Sequence, residues 1–168
     1  MTFSLRRAAT LGVTARPMTD EDLPFVAALY RSVRAAELAM SGWPEEMQAA
    51  FFDQQHRAQH HHYRTHYPDA AWLILERGGE PIGRLYFHET PSDLHLIDIS
   101  LAETCRGAGI GRAIMSDLIE RAGGEAGKSM SLFVEPNNRA RRLYLRLGFV
   151  GEGNAGAYEA MRWRAGGA

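Results

Sequence analysis

The residues best placed to do chemistry are Arg106-Gly107-Ala108-Gly109-Ile110-Gly111, with Arg112 directly after them. Three glycines in five positions let a backbone turn tightly and bring bare N–H groups against a ligand. Ahead of the turn, His95, Ile97, Ile99 and Leu101 alternate with Leu94, Leu96, Asp98 and Ser100, the period of a strand. Behind it, Ile110, Ile114 and Leu118 recur at helical spacing, with Met115, Ile119 and Ala122 beside them. A glycine turn that opens a helix is an anion site, because the first-turn amides and the positive helix end point at the ligand. Arg106 and Arg112 add charge, so the chemistry indicated is phosphate binding.

Spacing discriminates between phosphate ligands. A dinucleotide fingerprint needs a third glycine three residues after the second, but Arg112 and Ile114 occupy that region. A P-loop needs Gly-Lys-Ser/Thr, which this glycine turn lacks. The pattern Arg-x-x-Gly-x-Gly resembles the acetyl-CoA pyrophosphate loop of the GNAT superfamily of N-acetyltransferases. By itself such a turn could serve backbone geometry only. Ser129 to Phe149 resembles the second signature of that superfamily, carried by Asn137, Ala140, Leu143, Tyr144, Gly148 and Phe149 in the same order and separation.

The resemblance implies an α/β fold of the GNAT type: a central mixed, mostly antiparallel sheet of about seven strands, splayed in the middle, with about four helices on both faces. It implies acetyl-CoA as co-substrate and an amine as acceptor. Diphosphate contacts then fall on Arg106, Gly107, Ala108, Gly109, Ile110, Gly111 and Arg112, pantetheine contacts on Ile99, Ser100, Leu101 and Asn137, and cofactor contact and proton donation on Tyr144. Asn137 also suits the N-cap of the following helix. A phenol with a pKa near 10 is protonated at pH 7 and can serve a departing thiolate whose thiol pKa is near 8.5, although an inward tyrosine can equally be core.

An alkylammonium must lose a proton before it attacks, so a base or a water chain is required. The central strand offers Asp98 first, as base or substrate-orienting group, and His95 second. Asp98 sits among apolar neighbours, where it must be hydrogen-bonded structurally or functional. Acceptor selection in such folds falls to the first two helices, where Glu37 could attract a cation and Trp43 could cover it; Arg34, Gln55 and Tyr63 are further lining candidates.

The elements that must position these groups follow from periodicity. Val13–Arg16 is a strand, Thr19 an N-cap, and 20–36 a helix with Leu23, Val26, Ala27, Tyr30 and Val33 on its apolar face. Pro44 to Tyr67 is a second helix, with Met47, Phe51 and Ala58 inward. Its histidines include the i, i+4 pairs His56/His60 and His62/His66, read as a solvated face with no metal expected. Strands follow at 70–76 and 81–88 around Gly78-Gly79, then the central strand and glycine helix. The remainder is a strand at 130–135, a helix at about 138–147, and strands at 149–152 and 158–164, with an edge near Tyr158–Arg164 able to pair two copies as a homodimer.

The chain has 168 residues, 45% hydrophobic and 23% charged, which suits one globular domain over 13–168 behind a flexible leader at 1–12. A net charge of -1 gives no bulk attraction to nucleic acid or anionic membrane. A single cysteine, Cys105, permits no intrachain disulfide, and with no secretion signal or membrane span in view the expected compartment is the cytoplasm. The competing function is a non-catalytic acyl-CoA-binding regulatory or assembly module.

Overall fold

Seven strands form one open sheet in the computed structural model, which describes residues 4–39, 41–124 and 127–166. They are β1 Val13–Pro17, β2 Ala71–Arg77, β3 Glu80–Glu89, β4 Asp93–Leu101, β5 Ser129–Val134, β6 Val150–Ala155 and β7 Tyr158–Trp163, in the order β1-β2-β3-β4-β5-β7-β6. Every neighbouring pair is antiparallel except β4 and β5. That pair is parallel because a helix carries the chain back across the sheet between them. Among the described residues the helices are α1 Arg6–Ala9, α2 Leu23–Ala39, α3 Glu45–His66, α4 Ile110–Gly123 and α5 Ala140–Arg146.

The sheet opens where the site must be. Parallel pairing runs from Asp93 opposite Ser129 to Leu96 opposite Leu132 and then stops. β4 continues to Leu101, while Phe133 and Val134 of β5 pair only with β7. The expected splay therefore begins after Leu96, leaving that edge of β4 from Ile97 onward without a strand neighbour.

A bulge sits at the same point. Tyr86 pairs with Asp98 but Phe87 with Leu96, so Ile97 is the extra residue. It breaks the simple alternation anticipated for this strand. Leu94 and Leu96, then Ile99 and Leu101, all reach the same core, joined by Leu75, Leu85, Ile110, Ile114, Leu118, Met130 and Leu132. Asp98 and Ser100 lie with Arg84 instead.

Four expectations for the elements need correction. Within the described part of the segment read as a flexible leader, Leu5 and Ala8 are buried, and the amides of Arg7 and Ala8 donate to the carboxylate of Asp117 on α4. On α3 the inward residues are Phe52 and His56, whereas Met47, Phe51 and Ala58 are exposed, so the buried stripe is displaced by one position. Among the described side chains of α2 the buried ones are Val26, Leu29 and Tyr30, and Leu23 and Val33 are exposed. β7 lies between β5 and β6, so the free edges belong to β1 and β6, not to Tyr158–Arg164.

Candidate active site

The glycine turn is held from beneath by Cys105 and Ile110, both buried, while 106–109 are exposed. Arg106 Nε donates to the carbonyl of Leu101 at 2.9 Å, tying the turn to the end of β4. Gly107 and Gly109 have φ of 76° and 81°, a region costly for any residue with a Cβ. Nothing lies within 4 Å of where a Cβ would stand on either. Gly109 is the N-cap of α4, so the first-turn amides of a 14-residue helix open beside the clear surface. Backbone and cationic side chains here fit a diphosphate.

Tyr144 is buried on α5, its ring 5.8 Å from that of Phe149. Gly148 explains the return: with φ at 91° it ends the helix in a left-handed turn, and Phe149 N–H donates to the Tyr144 carbonyl at 3.0 Å. Burial, and after it the charge of Asp98, push the phenol well above its ordinary range, so it stays protonated at neutral pH. Asn137 is exposed and does not cap α5. The N-cap position is held by Arg139 without a side-chain cap bond, Asn138 Oδ1 accepts from Ala140 N–H at 2.9 Å, and the helix starts two residues later than expected.

On the other face of β4, Asp98 is hydrogen-bonded on both oxygens. Ser100 Oγ donates to Oδ1 at 2.9 Å, and the guanidinium of Arg84 pairs with Oδ2. Arg84 is only 3% exposed and also donates to Gln59 Oε1 of α3 at 3.0 Å. A guanidinium so buried needs its carboxylate, which gives Asp98 a structural duty. Arg84 was not singled out from sequence, although a lone arginine inside Ile82-Gly83-Arg84-Leu85-Tyr86-Phe87 is a signal for it. Tyr63 of α3 feels the same carboxylate, and burial first, then Asp98, push its phenol upward.

His95 lies apart from Asp98, against Ser131. Burial lowers it below the ordinary imidazole value, so it is neutral at pH 7. Trp43 is 42% exposed and meets Phe51 edge-on at 5.5 Å. Gln55 is exposed as well, and Arg34 pairs with Glu135, just past the end of β5, at 3.6 Å. Glu37 belongs to α2, but its side chain lies outside the described residues. His56 is buried rather than solvated, 5.4 Å from the ring of Tyr30. Among the described residues no cluster of three or more His, Cys, Asp or Glu could hold a metal, and no helix is long and apolar enough to cross a membrane. An open groove of about 470 Å³ lies along α4, lined by residues including Ser116, Ile119, Leu147 and Trp163.

The model of the acetyltransferase (GNAT) family matches residues 28–149, well over half of the chain. The chain belongs to that family. The matched span takes in the splay, the glycine turn and Tyr144, and the family it describes is one of acetyltransferases. A search among curated proteins finds no match in sequence. Solved structures share the GNAT architecture at low identity. The PaiA N-acetyltransferase of Thermoplasma acidophilum, in complex with coenzyme A, is similar at TM-score 0.68 and 16% identity over 90% of this chain and 98% of that one. A spermidine N-acetyltransferase SpeG chimera from Vibrio cholerae and hSSAT gives 0.62 and 20% over 91% and 95%. A Corynebacterium glutamicum structure described as histone acetyltransferase HPA2 and related acetyltransferase gives 0.60 and 21% over 94% and 98%.

Proposed function

We propose that this GNAT protein moves an acetyl group from acetyl-CoA to a primary amine by direct transfer. The observations that carry the reading are the β4–β5 opening after Leu96, the exposed glycine turn that follows β4, and a buried Tyr144 phenol that feels the charge of Asp98 on β4. In this reading Arg106 to Arg112 hold the diphosphate, and Ile99, Ser100 and Leu101 offer main-chain groups to the pantetheine as a strand partner would. Asn137 is exposed beside the end of β5 and serves as a pantetheine-side contact. Acetyl-CoA supplies the activated thioester.

Tyr144 donates a proton to the departing sulfur. His95, neutral at pH 7, accepts the proton of the attacking amine. Asp98 keeps Arg84 neutralised and orients the acceptor, and Glu37 and Trp43 remain acceptor-side candidates on α2 and the α2–α3 connection. Thiol release from acetyl-CoA, measured across polyamines, amino acids, aminoglycosides and peptide N-termini, tests the assignment. Release with at least one amine class is expected. Tight acetyl-CoA binding with no release from any of them would favour the non-catalytic acyl-CoA module.

A further inference from the structure

His95 faces Ser131 directly across the parallel pair, one position before the sheet opens. Its Nδ1 lies 2.9 Å from Ser131 Oγ, and Ser131 Oγ in turn donates to Asp93 Oδ2. The other Asp93 oxygen takes Ser129 Oγ at 2.6 Å and Arg162 Nη1 at 2.8 Å. Protons in this chain can be arranged in one way. A carboxylate only accepts, so the single hydroxyl proton of Ser131 is committed to Asp93. Ser131 Oγ must then accept from the ring, which places a proton on Nδ1 and leaves the lone pair on Nε2. Tyr67 at the end of α3 stacks on the ring at 5.5 Å, and Phe133, the first β5 residue beyond the last β4 pair, meets it edge-on at 5.4 Å.

We propose that Ser131 and Asp93 are positioning residues that hold His95 as its Nδ1–H tautomer, so that Nε2 accepts the proton of the acceptor amine. The proposal rests on the amine-acetylation reading above. In the step, the amine nitrogen bonds to the acetyl carbon, its proton passes to His95 Nε2, the carbon–sulfur bond breaks and the sulfur takes the Tyr144 proton. The imidazolium and the tyrosinate are restored through solvent. The groups that set the ring's basicity come from three strands: Asp93 of β4 raises it, while His88 of β3 and Arg162 of β7 add to burial in lowering it.

The test is imidazole ¹⁵N NMR on the full chain at pH 7.5, with His95→Gln to assign the resonance and Ser131→Ala as the probe. Ser131→Ala removes one small hydroxyl, and its melting curve reports folding independently of activity. The expected result is an Nδ1–H His95 that moves toward Nε2–H in Ser131→Ala, with kcat down about tenfold or more and KM for acetyl-CoA unchanged. Asp93→Asn should shift the acidic limb of the kcat/KM profile to lower pH, since it removes the charge that raises the ring. An Nε2–H His95 in a wild-type enzyme that still needs His95 overturns the positioning role alone. An Nδ1–H His95 with full turnover in His95→Gln overturns its role as base.

Discussion

Tyr144 and His56 show what burial does to a single titratable side chain. Tyr144 is kept protonated by its surroundings, so its proton is in place for a departing sulfur, although the same shift makes it a weaker donor than an ordinary phenol. Replacing Tyr144 with Phe should lower kcat about a hundredfold while leaving CoA affinity within about twofold, as rapid-quench kinetics and titration calorimetry can check. His56 is depressed from its ordinary value of 6.5 to about 4, chiefly by burial. Below pH 6.5 the unfolded chain binds a proton that the folded chain does not, so stability is complete above that pH and falls as pH drops toward 4. The loss is at most about 3 kcal/mol, with His60 shifted in the same direction. Urea unfolding at pH 7 and pH 5 should show this slope, and His56→Phe should flatten it. The types of these residues were legible in the sequence, but their environments were not. Nothing local tells that Asp98 faces a buried Arg84 contributed by a neighbouring strand, or that Asn138 rather than Asn137 accepts from the first amide of α5.

At the scale of elements, the hydrophobic periods locate α2, α3 and α4 within a few residues, since apolar burial decides where a helix lies. They do not decide which of two adjacent apolar residues turns inward. On α3, Phe51-Phe52 offered both choices, and packing against Tyr30 selected Phe52 at a ring distance of 6.2 Å. The bulge at Ile97 was equally hidden, because it is a property of the β3–β4 pairing and not of either strand. The first turn of the chain shows long-range capping. Asp117, 110 residues away, accepts the Arg7 amide at 2.9 Å and so anchors a four-residue helix that propensity alone would leave frayed. Asp117→Ala should cost about 2 kcal/mol in chemical denaturation and expose the Arg7 and Ala8 amides to hydrogen exchange. Unchanged exchange there would show that α1 holds by apolar contact alone.

For the molecule as a whole, a parallel pair set within an otherwise antiparallel sheet is what creates the opening. β4 and β5 hydrogen-bond for four residues and part, with α4 and α5 following the two arms of the split. The glycine turn and the Asn-x-x-Ala-x-x-Leu-Tyr segment fall at those two points, which is why the fold was legible from two short stretches. The acceptor end proposed above was not, because its candidate side chains come from α2, α3, β3 and β4 and no contiguous motif joins them. Isothermal titration of the full chain with CoA tests the central claim, that amides bared at Gly109 and the split beyond Leu96 together form the carrier's site. The account predicts one saturable site in the wild type and its loss in Gly109→Val, where a β-branched side chain meets a φ of 81° and the face left clear for phosphate. No heat with the wild type, or equal affinity in the folded variant, would contradict it.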